Sequence, residues 1–188
     1  MIYIGDGILK GELKEILKDV TSWLNFAEAK NLALITFDGV WLSFFIKQFF
    51  ECKTGPKTLI VICSVMTALP ILISLVSFLP KLFTKLTIES ILKLTLDDKS
   101  DNDNLLFYKD ILKYSPNEYY EAIQKRKFIN HEEEYDKFES EKYRYEKTLI
   151  IQIVTLSGIA YKKYFLFNVA LILTIFSIIL GAMVMIIV

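Results

Sequence analysis

The 188-residue chain is 53% hydrophobic with a mean hydropathy of +0.39, too apolar for an ordinary soluble domain and pointing to membrane insertion. Its 22 basic and 22 acidic residues cancel, no region is strongly basic, and only Arg126 and Arg144 are arginines, which argues against a face that wraps nucleic acid and leaves bidentate phosphate grips scarce. Cys52 and Cys63 form no CxxC and His131 is the sole histidine, so the types for a zinc site are missing and the thiols read as buried or free.

The amino-terminal stretch MIYIGDGILKGELKEILKD has no apolar core or cleavage site of a secretory signal peptide. Over residues 12–30, Leu13, Ile16, Leu17, Val20, Leu24 and Ala27 recur at helical spacing and predict an amphipathic helix. No Pro or Gly separates it from the apolar run Leu32–Phe50, so one helix from about Gly11 to Phe50 is expected, half in the cytosol and half in the membrane.

That first span carries Asp38 and, near its end, Lys47. Its Leu, Ile, Phe and Val residues contribute roughly −3 to −6 kcal/mol to insertion, against about +2.5 to +3.5 for an aspartate near the centre. Lys47 can snorkel. Asp38 lies six residues past Leu32, roughly 9 Å inside the apolar boundary, too deep for so short a side chain to reach water. Asn31 precedes it by seven residues on the same face, and Gly39 beside it permits a close helix approach. An inward-facing path or gate formed by Asp38, Asn31 and Gly39 is therefore expected, against the alternative of a residue kept neutral or paired for packing.

KTGPK (53–57) makes a tight turn into the second span, Leu59–Leu79. Pro70 lies within it and marks either a hinge or a static kink, with Ser64 and Thr67 available to satisfy backbone groups. The third span is Tyr164–Val188, which would end at the outer face with no polar tail to translocate. Lys30, Lys81, Lys85, Lys162 and Lys163 are the expected interface anchors on one side, and Lys47, Lys53 and Lys57 lie on the other. This imbalance places the amino terminus and the central region in the cytoplasm.

Between the spans, LDDKSDNDN makes 96–104 a charged, mobile linker. LLFYKD (105–110) is too short to decide between strand and helix. SPNE (115–118) opens a helix through Lys127, with Ser115 as cap, Pro116 at the first position and Glu118 closing the capping box. A further helix from near Glu132 carries Tyr135, Phe138, Tyr145, Leu149, Ile153, Leu156 and Ala160 as a stripe and runs into the third span through Gly158. This stripe should pack on the amino-terminal one, since each must be covered. The charged 132–147 face, with pairs Glu133–Lys137 and Lys142–Glu146, is a solvated surface.

The resulting expectation is an all-α membrane protein. It has three transmembrane helices, two of them extended into a cytosolic helical bundle with a small central helical or α+β insertion. Residues 1–30 form the cytosolic helix, 31–80 a transmembrane hairpin, 81–147 the central region, and 148–188 a cytosolic helix continuing into the third span. In the central region Tyr108, Tyr114, Tyr119 and Tyr120, with Lys109 and Arg126, can stack on a base and touch a phosphate, although ordinary packing and a solvated surface are the simpler reading. No metal site, GxSxG, P-loop or paired-His motif is present, and an intramembrane hydrolase would need a second carboxylate in the spans, so no enzyme is expected.

Three stretches in order, AEAKNLALITFDG (27–39), LLFYKDILKYSPNEYYEAI (105–123) and QIVTLSGIAYKKYFLF (152–167), resemble the transmembrane effectors of Pycsar antiphage defence, over about residues 10–188. The resemblance implies a bacterial inner-membrane effector that impairs the membrane, and a path lined by several Asp38 side chains would make it a homo-oligomer. Its partner cyclase would supply cyclic UMP or cyclic CMP as ligand, and neither a cofactor nor nucleic acid is implied. A constitutive membrane scaffold that recruits a cytosolic protein is the alternative reading.

Overall fold

The computed structural model describes residues 4–51, 57–79, 98–100, 102–127 and 144–187. Its elements are α1 (Ile4–Glu51), α2 (Lys57–Val76), α3 (Tyr108–Ile111), α4 (Pro116–Lys127) and α5 (Arg144–Ile187). No strand occurs among the described residues, so the α+β alternative for the insertion has no support there. The turn at 53–56, Cys52, His131, Lys81, Lys85 and the stripe and charge pairs expected at 132–143 lie outside the described residues.

Length sets the character of the three long helices. At about 1.5 Å per residue, the 48 residues of α1 extend about 72 Å and the 44 of α5 about 66 Å. A bilayer core is about 30 Å thick, so each has roughly half its length to spare, while the 20 residues of α2 just match it. All three are long and apolar enough to cross a membrane.

The chain divides into two compact units, Met1–Asn25 with Phe83–Tyr161, and Phe26–Leu82 with Lys162–Val188. In the first unit, the stripe Leu13, Ile16 and Val20 of α1 packs in one core with Leu149, Ile150 and Ile153 of α5. This is the pairing that two uncovered apolar stripes require. Leu105, Ile111, Tyr119, Tyr120 and Ile123 complete that core. Residues 105–107 form a turn leading into the single-turn helix α3. Gly158 lets α5 approach its end, since a Cβ there would stand 3.3 Å from Leu112 Cδ1.

The capping box that opens α4 forms as its spelling predicts. The Glu118 N–H donates to Ser115 Oγ at 3.4 Å, and the Ser115 N–H to Glu118 Oε2 at 2.8 Å. Residues 96–104, expected to be a mobile linker, include an anchored residue. Asp103 is buried and accepts from Lys113 Nζ at 2.7 Å, Tyr114 Oη at 3.0 Å and the Ser100 N–H at 3.0 Å. Charge density read as solvation is here an internal ion pair.

In the second unit the helices turn their large apolar side chains outward and their small polar ones inward. Phe37, Val40, Leu72, Ile172, Phe176 and Met183 are exposed, as lipid-facing residues should be. Phe45, Ile60, Cys63 and Val184 form an inner apolar cluster, and Cys63 is a free thiol there.

Candidate functional site

The site is a seam of polar side chains inside the second unit. On α1 the buried positions Ala27, Asn31, Leu34, Asp38 and Phe45 follow helical spacing, which carries Asn31 and Asp38 to the same inner face. On α2 the buried stripe is Ile60, Cys63, Thr67, Pro70 and Ser74. On α5 it includes Ala170, Thr174 and Ser177.

Asp38 is fully buried and faces α5. Thr174 Oγ1 lies 3.0 Å from Asp38 Oδ2, while Asp38 Oδ1 has no hydrogen-bond partner among the described residues. Asn31 Nδ2 donates to the carbonyl of Ala27 at 2.9 Å and, across to α5, to that of Lys163 at 3.3 Å. Thr67 Oγ1 of α2 and Ser177 Oγ of α5 are 2.6 Å apart. In a lipid surrounding such contacts hold helices together where burial of apolar surface gives no preference for protein over lipid.

Gly39 does not make the close approach expected of it within the protomer. A Cβ there would meet nothing within 4 Å. The close approach is at Gly181 of α5, where a Cβ would stand 2.5 Å from Phe45 Cζ and 3.2 Å from Trp41 Cζ2. Pro70 lies on the inner stripe of α2. The hydroxyls of Ser64 and Thr67 bond to the carbonyls of Ile60 and Cys63, one turn back from each, rather than to the Met66 carbonyl that the proline leaves without its usual donor.

Near the amino-terminal end of this unit, Lys163 Nζ is drawn into an ion pair with Glu28 Oε1 at 2.8 Å and lies 5.1 Å from the ring of Phe78. Lys30 Nζ stands 4.5 Å over Phe26 and 5.4 Å over Tyr164. Lysines held against aromatic rings at the edge of an apolar span are what an interfacial band requires.

The candidate ligand contacts in the first unit are placed differently from one another. Tyr119 and Tyr120 are core residues, 0% and 1% exposed, so neither ring face is open to stack on a base. Their adjacency on α4 turns them into the shared core with α1 and α5. Tyr119 Oη donates to the Leu105 carbonyl at 2.7 Å, and burial raises its pKa. Arg126 donates from its guanidinium to the Asp103 carbonyl, fixing the loop rather than projecting from it. Tyr108 packs 5.9 Å from Trp23 and 4.6 Å from Phe107, and Lys109 follows it on α3.

Around these residues runs a network that sequence reading missed. Lys113 Nζ bridges Asp103 Oδ1 at 2.7 Å and Asp110 Oδ1 at 3.1 Å. Its hydrogen bond to Asp103, with the further pairing to Asp110, outweighs burial and raises its pKa. Burial pushes Asp103 up, but its bonds from Lys113, Ser100 and Tyr114 together hold it below the usual carboxylate range. Glu118, bonded first by Lys99 Nζ at 2.6 Å and then by Ser115, is lowered to about 2. Thr174, Ser177 and Ser74 were likewise unmarked, and Thr67 was marked only as a partner for backbone groups near Pro70. The signal for the α2 pair was available, since Thr67 and Ser74 are seven residues apart on one face of an otherwise apolar span.

A family model described as the Pycsar effector protein domain matches residues 12–188. No curated protein and no solved structure matches the chain.

Proposed function

The chain belongs to the Pycsar effector family, and on that footing we propose that it is switched on by a cyclic pyrimidine mononucleotide, cyclic UMP or cyclic CMP, and then impairs the inner membrane of an infected cell. The amino terminus and the central region are cytoplasmic in this reading. Nucleotide engages the first unit, with Tyr108 and Lys109 as candidate contacts.

The observation that carries the reading is the continuity of α1. One helix holds both the apolar stripe of the first unit and the buried Asp38 of the second. A nucleotide acts only by binding one state better than the other. The favoured state would part Asp38 from Thr174, and in a homo-oligomer several such carboxyls would line a shared path for water or ions. Pro70 serves as the hinge that lets α2 follow. Lys30, Lys162 and Lys163, with Lys81 and Lys85, hold the cytoplasmic edge.

The test is electrical. Wild type and Asp38→Asn are expressed with and without the activating nucleotide, and membrane potential is recorded. Depolarisation should require nucleotide and be slowed in the variant. Equal rates in both would remove Asp38 from the path. Depolarisation without nucleotide would overturn the switch, and nucleotide without effect would leave a scaffold as the better account.

A further inference from the structure

The hydrogen-bond arithmetic at Asp38 does not close for a carboxylate. Thr174 Oγ1 lies 3.0 Å from Asp38 Oδ2 and 3.1 Å from the Ala170 carbonyl oxygen. A hydroxyl has one hydrogen and can donate it in one direction at a time. With Asp38 ionised, two acceptors compete for that hydrogen, and Oδ1 has no donor among the described residues. The anion would then hold at most one hydrogen bond inside an apolar span, a costly arrangement.

With a proton on Asp38 the chain closes. Oδ2–H donates to Thr174 Oγ1, and Thr174 donates to the Ala170 carbonyl, so each hydrogen is used once. Only Oδ1 stays bare, as a neutral carbonyl oxygen, the kind of buried group most often left under-satisfied. The neighbouring pair obeys the same rule. Thr67 Oγ1 lies 2.8 Å from the Cys63 carbonyl, which leaves Ser177 to donate across the 2.6 Å contact.

Among the described residues of the three long helices, no charge is placed to rescue the anion. On α1, Lys30 and Lys47 lie eight and nine residues away, about 12 and 13 Å along the axis. On α2 the charged residue is Lys57 at its first position, and the titratable one is Cys63, buried among Phe45, Ile60 and Val184. On α5, Lys162 and Lys163 precede Thr174 by at least eleven residues, about 16 Å, and the ammonium of Lys163 is taken by Glu28.

We propose that Asp38 is a proton-binding site, loaded in the resting protein, and that the bound proton fastens α1 to α5. Releasing it requires water to reach the carboxyl and accept the proton. The carboxylate that remains is better solvated with the helices parted than with them closed. Proton occupancy and closed packing therefore stabilise each other. This is a property of the resting protein and does not depend on which ligand opens it.

Infrared spectroscopy of the full chain in lipid nanodiscs at neutral pH tests the proposal, with no nucleotide added. Wild type should show the carbonyl stretch of a protonated carboxylic acid, moved by a heavy-carbon label on aspartate and lost in Asp38→Asn. Thr174→Val should keep the band but shift it to higher frequency, because the acid loses its acceptor. Absence of a protonated-aspartate band in wild type would overturn the proposal. So would a band unchanged in both variants. Should Asp38→Asn fail to fold, the label and the Thr174→Val shift decide between the same two outcomes.

Discussion

At Asp38 the sequence shows the burial but not the partner. Depth follows from counting residues past Leu32, whereas Thr174 lies 136 residues away and looks like any small residue in an apolar span. The pairing makes an asymmetric prediction. Thr174→Val strands both Asp38 oxygens and should destabilise the protein by about 1–2 kcal/mol. Asp38→Asn keeps a donor for Thr174 Oγ1 and should stay within about 0.5 kcal/mol of wild type. Adding Asp38→Leu to Thr174→Val should restore part of the loss. Denaturant unfolding in detergent measures all three, and equal losses for the two single variants would contradict the pairing. The charged residues of the first unit predict an acid limit. Asp103 is held below 3.8 and Glu118 at about 2 in the folded protein, so each favours folding fully only above its unfolded value. That contribution disappears as pH falls from about 4.5 toward 2. Lys113, whose pKa is raised, contributes below 10.5 and loses its effect only on the alkaline side. Amide protection factors across 102–127, taken relative to the intrinsic exchange rate at each pH, should therefore fall in acid, and Lys99→Ala should move the Glu118 titration up toward 4.5 as read by NMR.

Among the elements, local chemistry was readable where a motif has one geometric meaning. The capping box at Ser115 and the paired stripes of α1 and α5 are of that kind. Tyr119 and Tyr120 were ambiguous because an aromatic suits a core as well as a base, and the linker misled because an ion pair between Asp103 and Lys113 depends on a turn that charge composition does not encode. Glycine shows a similar limit within the protomer. Gly39 stands next to the conspicuous aspartate, yet the helix contact is at Gly181, whose surroundings are set by Phe45 and Trp41 of another helix. The two glycines should respond with opposite sign to alanine. Gly39→Ala meets open space and gains helix propensity, about 0.5–1 kcal/mol. Gly181→Ala must displace Phe45, which is 2% exposed and stands 5.3 Å from the ring of Trp41, and should cost about 1–3 kcal/mol. Thermal unfolding in detergent checks the pair, and a stabilising Gly181→Ala would show that the aromatic cluster yields easily.

For the molecule as a whole, composition and span lengths revealed a membrane protein because about 30 Å of hydrocarbon imposes a length that few other structures need. The unbroken apolar patterns also led to the expectation that α1 and α5 each run from a helical bundle into a span, but where the two packed units divide, at Asn25 and Tyr161, depends on contacts far apart in sequence. If nucleotide binding in the first unit drives change at Asp38, the crossings inside the continuous helices α1 and α5, after Asn25 and Tyr161, are the helical routes available, the third crossing being after Leu82. A short Gly-rich insert after Asn25 of α1, combined with one after Tyr161 of α5, interrupts both while leaving the side chains of each unit unchanged. Glycine weakens helix by about 1 kcal/mol per residue relative to alanine, so the inserted turns should bend freely. The doubly inserted chain should still bind nucleotide, as read by calorimetry on the purified protein, but should no longer depolarise cells. An insert in one helix alone should leave a partial response through the other. A doubly inserted chain that depolarises as fast as wild type would mean that the signal does not travel along these helices, and the continuity of α1 would lose its functional meaning.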